Sequence, residues 1–335
     1  MKQSGETLFE AFLNQHDTRA WEVTVKSLLP HIHEVDKNAT QIWFYFFPLK
    51  LAKALQQSED PEKLAKKLLM LGKYHLKDQI DRSHEFLYGH RYWSAVKKAI
   101  QEHAASSKAP SSLELAAQIK EVAGRVASEL KVDNSLLLGI VAVGFLTLQQ
   151  VGIEAFKASS GKISLSEKVI KKSPDQIFNA RAKDEGQGIL GFLKTVDKVY
   201  NVTFNENKED CRYKLLDGQD LATAAASDKR DYRSKDPRCP EGPIPVECRA
   251  ASCGTCWVGI LGGAEKLDPV SSKERKMMPK FGYIDTEDQR PLIRLGCFTP
   301  AHGSVSIVIP PWNGYFGQYL RSLEDENEES NHTTA

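Results

Sequence analysis

Three cysteines, Cys248, Cys253 and Cys256, stand within ten residues of one another in the stretch CRAASCGTCW, at the spacing C-x4-C-x2-C. A fourth, Cys297, follows in RLGCFTP. Four thiolates at this spacing, the last supplied from a distant point of the chain, are the ligand pattern of a [2Fe–2S] cluster. The residues between the thiols are small: Ala250, Ala251, Ser252, Gly254 and Thr255. Small side chains let backbone N–H groups approach sulfur, and such hydrogen bonds help to set a cluster's potential. Zinc is the competing reading, because four thiolates suit it too. Zinc sites, however, usually pair one C-x2-C with a second C-x2-C or with H-x3-H. Here Cys297 has no cysteine neighbour. A disulfide framework fits poorly with a chain of 335 residues.

The stretch resembles the plant-type ferredoxin family, and the likeness extends over residues 196–311. Residues 199–204 and 212–216 read as a hairpin, Asp217-Gly218 as its exit, residues 221–226 as a short helix, and GSVSIVIP (303–310) as a closing strand. The resemblance implies a β-grasp fold, with Cys248, Cys253, Cys256 and Cys297 as ligands of a [2Fe–2S] cluster. Two features depart from the family. Ala251 stands where glycine is usual, and alanine disfavours positive φ. The interval before Cys297 is long and carries a charged, helix-prone stretch, SSKERKMM.

Composition is that of an ordinary globular chain: 41% hydrophobic, 27% charged, formal net charge +1. Nothing in that balance calls for nucleic acid or an anionic membrane. The beginning, MKQSGETLFE, lacks the apolar core of a signal peptide. With six cysteines, four of them assigned to a cluster, this leads us to expect a reducing, cytoplasmic setting. Cys211 reads as an ordinary hairpin side chain. Cys239 lies nine residues before Cys248 but is superfluous to a complete set of four.

The elements that must carry this loop divide into four segments. Residues 1–108 read as a helical domain, 109–195 as a second helical segment, 196–320 as the ferredoxin-like domain, and 321–335 as an acidic disordered tail. The expected class is therefore α+β. Residues 7–103 read as helical throughout. Asp60-Pro61 starts a helix that should carry Leu64, Leu68, Leu71 and Leu76. The aromatic run at 42–50 reads as a buried segment broken near Pro48. Ser111 and Glu114 form a capping-box pattern before a stripe at Leu115, Ile119, Val122, Val126 and Leu130. Ser173-Pro174 should open a short helix ending near Gly186. Residues 134–153 carry no charge, yet the strongly apolar part, 136–148, is shorter than the roughly twenty residues a membrane span needs. We read it as a buried core helix, with the glutamines at 149 and 150 diluting its end.

Other motifs weigh less. Gly186, Gly188 and Gly191 match G-x-G-x-x-G, but the charged RAKDE before them makes no buried strand. Asp81 and His84 would sit one helical turn apart, without the second motif that a di-metal bundle needs. The charges near the cysteines, Arg249, Lys273, Arg275, Lys276 and Lys280 against Glu241, Glu247, Glu265, Asp268 and Glu274, make that surface close to neutral. The expected function is one-electron transfer to a redox partner, a reductase or an oxidoreductase complex. The helical half would serve for docking or self-association. The alternatives are an oxidoreductase with a second cofactor in the helical half, or an iron–sulfur sensor.

Overall fold

The structure, a computed structural model, describes residues 5–68, 76–106, 114–184, 198–281, 283, 286–312, 319 and 322. It is mixed α+β, with a helical N-terminal part and a small mixed sheet in the C-terminal part. Two units divide the chain. One takes the described residues of Met1–Gln57 and Lys73–Phe178, the other those of Ser58–Gly72 and Asn179–Ala335.

The helices of the first part are α1 (Gly5–Asn14), α2 (Thr18–Leu28), α3 (Glu34–Phe46), α4 (Leu49–Gln57), α5 (Pro61–Lys67, in the second unit), α6 (Trp93–Ser106), α7 (Leu115–Leu130), α8 (Ser135–Val151), α9 (Ile153–Ala158), α10 (Glu167–Ile170) and α11 (Pro174–Ala180). The uncharged stretch becomes α8, and every residue of it from Leu136 to Gln150 is buried. A helix apolar on all sides is stable only when protein surrounds it. Here α1, α2, α3, α4, α6, α7 and α9 all pack against it. Gly144 permits the approach of α6: a Cβ there would fall 2.4 Å from Ile100 Cδ1 and 3.3 Å from Trp93 Cζ3. Among the described residues no helix is long and apolar enough to cross a membrane.

The two glutamines do more than dilute the end of α8. Trp21 Nε1 donates to Gln149 Oε1 at 2.6 Å, and Gln149 Nε2 donates to His16 O at 2.9 Å. Gln150 Nε2 donates to Phe47 O at 2.7 Å. Their amides thus satisfy backbone carbonyls and an indole N–H that burial would otherwise strand. Pro48 separates α3 from α4, as the aromatic run suggested.

Four local expectations differ. Residues 76–92 form 3-10 and turn structure rather than α-helix. Asp36, buried, accepts from Tyr88 N–H and Gly89 N–H at 2.5 and 2.7 Å, so a side chain takes up donors that a regular helix would satisfy internally. Asp60 caps α5 by accepting from Lys63 N–H, but α5 ends at Lys67. Leu71 lies outside the described residues and Leu76 falls in a 3-10 turn. Glu114 is the N-cap of α7 rather than its third residue, and its side chain makes no capping bond. The helix opened by Ser173 ends at Ala180, and Gly186, Gly188 and Gly191 lie outside the described residues.

In the second unit the strands are β1 (Val199–Thr203), β2 (Arg212–Leu216), β3 (Gln219–Asp220), β4 (Trp257–Gly262), β5 (Ile293–Leu295), β6 (Pro300–Ala301) and β7 (Val305–Val308). The main sheet runs β2-β1-β7-β4-β5, with β1 parallel to β7 and the other neighbours antiparallel. β3 and β6 form a small antiparallel pair. β2 alternates exposed and buried residues, and its inward Tyr213 and Leu215 face the core. Between β3 and β4 lies α12 (Leu221–Ala226), capped by Asp220 Oδ1 accepting from Thr223 N–H at 2.8 Å. Its Leu221, Ala222, Ala224 and Ala225 are buried against β2 and the turn Gly296–Phe298. α13 (Ser272–Met277) follows β4, capped by Ser271. It is the charged stretch of the long interval.

Candidate metal centre

The antiparallel pairing of β4 with β5 brings Cys297 beside Cys256. Cys256 directly precedes β4, and Cys297 lies in the 3-10 turn directly after β5. Trp257 pairs with Leu295, and Gly296 N–H donates to Cys256 O at 2.8 Å. The pairing therefore sets the distant cysteine beside the loop. Cys256 is buried, and Cys248, Cys253 and Cys297 are half-buried.

The loop before β4 has no regular structure, and its hydrogen bonds go to sulfur instead. The Cys248 Sγ accepts from Ala250, Ser252 and Cys253 N–H at 3.3, 3.4 and 3.3 Å. This convergence needs a left-handed backbone at several points: Arg249 has φ 51°, Ala251 57° and Gly254 70°. Alternation of right- and left-handed residues turns successive N–H groups toward one side and makes a concavity for negative charge. Ala251 thus takes the glycine-like angle despite its Cβ. At Gly254 glycine is needed twice over, because a Cβ would fall 2.5 Å from Phe281 Cε1.

The thiols fall into two pairs. Burial raises Cys248, but hydrogen bonds from Ser252, Ala250 and Cys253 outweigh it and bring that thiol down to about 6. Burial holds Cys253 above the ordinary value, although Thr255 works against it. Hydrogen bonding with Cys297, and then burial, push Cys256 well up. The same bond lowers Cys297, which also accepts from Ala251 N–H. Cys253 N–H thus donates to Cys248 Sγ, and Cys256 and Cys297 hydrogen-bond to each other. Among the described residues no set of three or more His, Cys, Asp or Glu side chains converges as a metal would require. A group that takes two thiolates at each of two metal atoms is what such pairs could hold. The shell of N–H donors suits a site where negative charge collects on sulfur.

Cys211 and Cys239 stand apart from these pairs. Cys239 is buried, donates to Pro243 O at 3.3 Å, and is pushed up to about 12 chiefly by burial. Burial also raises Cys211.

Sequence reading missed the support beneath Cys297. Glu274 of α13, counted above among the surface charges, is fully buried, as is Arg294 of β5. The pair is bidentate: Arg294 Nε to Glu274 Oε1 at 2.9 Å and Nη2 to Oε2 at 3.1 Å. Glu274 Oε1 also accepts from Leu295 N–H at 2.7 Å, and Arg294 Nη1 donates to Asp268 O at 2.9 Å. The carboxylate is thus tied to the strand that delivers Cys297. The only available signal was an acid in a lysine-rich run, which reads as a solvated face.

The histidine cluster of the helical unit is of a different kind. His84 Nε2 lies 3.1 Å from Ile80 O, and His84 Nδ1 lies 2.9 Å from His90 Nδ1. With both rings neutral, His84 donates to the carbonyl and His90 donates to His84. His90 Nε2 is then a bare acceptor, buried without a partner. Burial pushes His84 well below the ordinary imidazole value and His90 down to about 4. Asp81, taken from the sequence as a companion of His84, instead accepts from Trp93 Nε1, Ser159, Ser160 and Gly161 N–H. In the second unit a polar cavity of about 380 Å³ is lined by Lys183, Asp184, Asn201, Thr203, Arg212 and Ser304, and by none of the cysteines. Compared with protein-family models, with curated proteins and with solved structures, the chain matches none of them.

Proposed function

We propose that the chain is a one-electron transfer protein, with a [2Fe–2S] cluster held by Cys248, Cys253, Cys256 and Cys297 in a β-grasp domain of the plant-type ferredoxin kind. The observation that carries this reading is the set of three backbone N–H groups converging on Cys248 Sγ. Hydrogen bonds of that kind stabilise thiolate and are among the means by which protein tunes a cluster. The sheet order, with its parallel β1–β7 pair and α12 against it, supports the β-grasp part of the proposal. Bound there, a cluster supplies one-electron chemistry near −400 mV, on the order of plant-type centres.

The chain's own residues do the remainder. Cys248 and Cys253 present one pair of thiolates, and Cys256 and Cys297 the other. Ala250, Ser252, Cys253 and Ala251 direct N–H groups at sulfur. Phe281 and Trp257, packed at a centroid distance of 5.8 Å, back the loop and keep water from its inner side. The Glu274–Arg294 pair fixes the strand end that carries Cys297. The helical unit is proposed as the docking or assembly part, in a reducing, cytoplasmic setting. Its partner would be a reductase or an oxidoreductase complex.

The test is a set of single cysteine-to-serine variants with iron and acid-labile sulfide measured in each. Changing any of Cys248, Cys253, Cys256 and Cys297 should lower both sharply, because serine oxygen is a harder ligand than thiolate. Cys211→Ser and Cys239→Ser should keep both. Loss in Cys239→Ser with retention in Cys297→Ser would refute the assignment. Zinc without sulfide in the unaltered chain would refute the cluster.

A further inference from the structure

We propose that, in addition to the docking or assembly role of the helical unit, α13 and the turn after it form a contact surface for an acidic redox partner, with Lys273, Lys276 and Lys280 as its cationic contacts. The inference rests on the electron-transfer reading of the cysteine loop. It starts from the long interval before Cys297, whose charged stretch that reading leaves without a task.

The three lysines are exposed: Lys273 and Lys276, at i and i+3, share one side of α13, and Lys280 follows in the 3-10 turn Pro279–Phe281. The stripe borders the cysteine loop at both ends. Lys273 Nζ lies 5.1 Å from the ring centroid of Phe298, the residue after Cys297. Lys280 precedes Phe281, whose ring packs against Gly254, the residue after Cys253.

Asp288 lies close to α13, its carbonyl accepting from Arg275 Nη2 at 2.6 Å, yet the three lysines keep no carboxylate partner among the described residues. Glu274, the one acid within α13, points away from solvent and is neutralised by Arg294. Arg249 of the cysteine loop pairs with Glu241. Among the described residues no carboxylate forms an ion pair with Lys273, Lys276 or Lys280. The exposed charges of α13 itself are therefore all positive. The buried pair also makes the stripe rigid, since it anchors α13 to β5 from beneath. Three like charges held on one short face repel one another, and a partner's carboxylates relieve that repulsion. A fixed patch of one sign raises association rates with an oppositely charged partner and orients the encounter. A stripe beside the thiols would orient an acidic partner so that its own redox centre faces them.

The test compares two charge-matched triple variants of the full chain: Lys273→Gln/Lys276→Gln/Lys280→Gln, and Lys63→Gln/Lys66→Gln/Lys67→Gln on α5 as control. Poly-L-glutamate at low ionic strength is the first probe, read by calorimetry. Affinity should fall about tenfold in the α13 variant and change by less than about twofold in the control. The second probe is a pair of one-electron oxidants of opposite charge. Dithionite supplies the electron to the protein, and it then passes to cobalt(III), giving cobalt(II). Oxidation by the anionic cobalt(III)–EDTA complex should slow about tenfold in the α13 variant. Oxidation by the cationic hexaamminecobalt(III) should not slow. Equal losses in the two variants, or none in the α13 variant, overturn the proposal. A chain without iron refutes the electron-transfer reading, while the poly-L-glutamate comparison still decides whether the stripe binds acid.

Discussion

Glu274→Gln is the most informative single change beneath the candidate centre. The substitution keeps the size and the acceptor for Leu295 N–H but removes the negative charge. Arg294, with a fully buried side chain, then keeps its positive charge against a neutral amide. Breaking a buried pair in this way costs about 3–5 kcal/mol, roughly a hundred- to several-thousand-fold in the unfolding equilibrium. The double variant Glu274→Met/Arg294→Met removes both charges and should recover part of that loss. A residue of about 1–3 kcal/mol remains, because Leu295 N–H and Asp268 O lose their partners. The assay is amide exchange at β4 and β5 in the full chain across a urea series, which reads the opening of this unit alone. Iron content and Cys297 reactivity, measured on the same samples, connect the strand to the thiol it carries. If Glu274→Gln opens within about 1 kcal/mol of the unaltered chain, Arg294 is solvated and the reasoning fails.

Two further outcomes follow from the geometry. Gly254→Ala must hold alanine at φ 70° and place a Cβ against Phe281. The backbone alone costs about 1–2 kcal/mol and overpacking about 1–3 more; lowered iron content with an intact helical unit is the expected result, and a normal iron content would show that the loop tolerates a side chain there. In the helical unit, His90 titrates near 4 when folded and near 6.5 when unfolded, so the unfolded chain takes up its proton first as pH falls. Stability is therefore intact above about 6.5 and declines toward 4, with about 2 kcal/mol lost at pH 5 from His90 and His84 adding to it in the same direction. Urea midpoints at pH 7 and pH 5 should converge in His90→Leu relative to the unaltered chain; an identical pH slope in both would contradict the assignment.

The parts legible in the sequence were local. The expectation drawn from C-x4-C-x2-C is local because that spacing lies within one loop, and Asp60 before Pro61 marks a helix start within one turn. The alternating RYKLL of β2 and the apolar run of α8 likewise carried their burial in their own pattern. What was not legible depended on distant partners. Asp81 and His84 looked one helical turn apart only if residues 76–92 were α-helix, and Asp36, more than forty residues away, holds that segment in turns instead. Gln149 and Gln150 looked like the polar end of an apolar run, yet Trp21, His16 and Phe47 make them buried clamps. Glu274 looked like one more surface charge until β5 brought Arg294 beneath it. Its charge is taken up by Arg294 and does not belong to the surface count.

The central claim is that four thiols in two pairs hold one two-iron cluster. The measurement that tests it most directly is the absorption and EPR spectrum of the full chain, as purified and after dithionite reduction, with iron and sulfide measured on the same sample. The expected result is the spectrum of a single [2Fe–2S] centre that bleaches on reduction as its EPR signal appears, with iron and acid-labile sulfide in equal amounts. A colourless protein after anaerobic purification and reconstitution with iron and sulfide, or a chain holding zinc in place of iron, would contradict it.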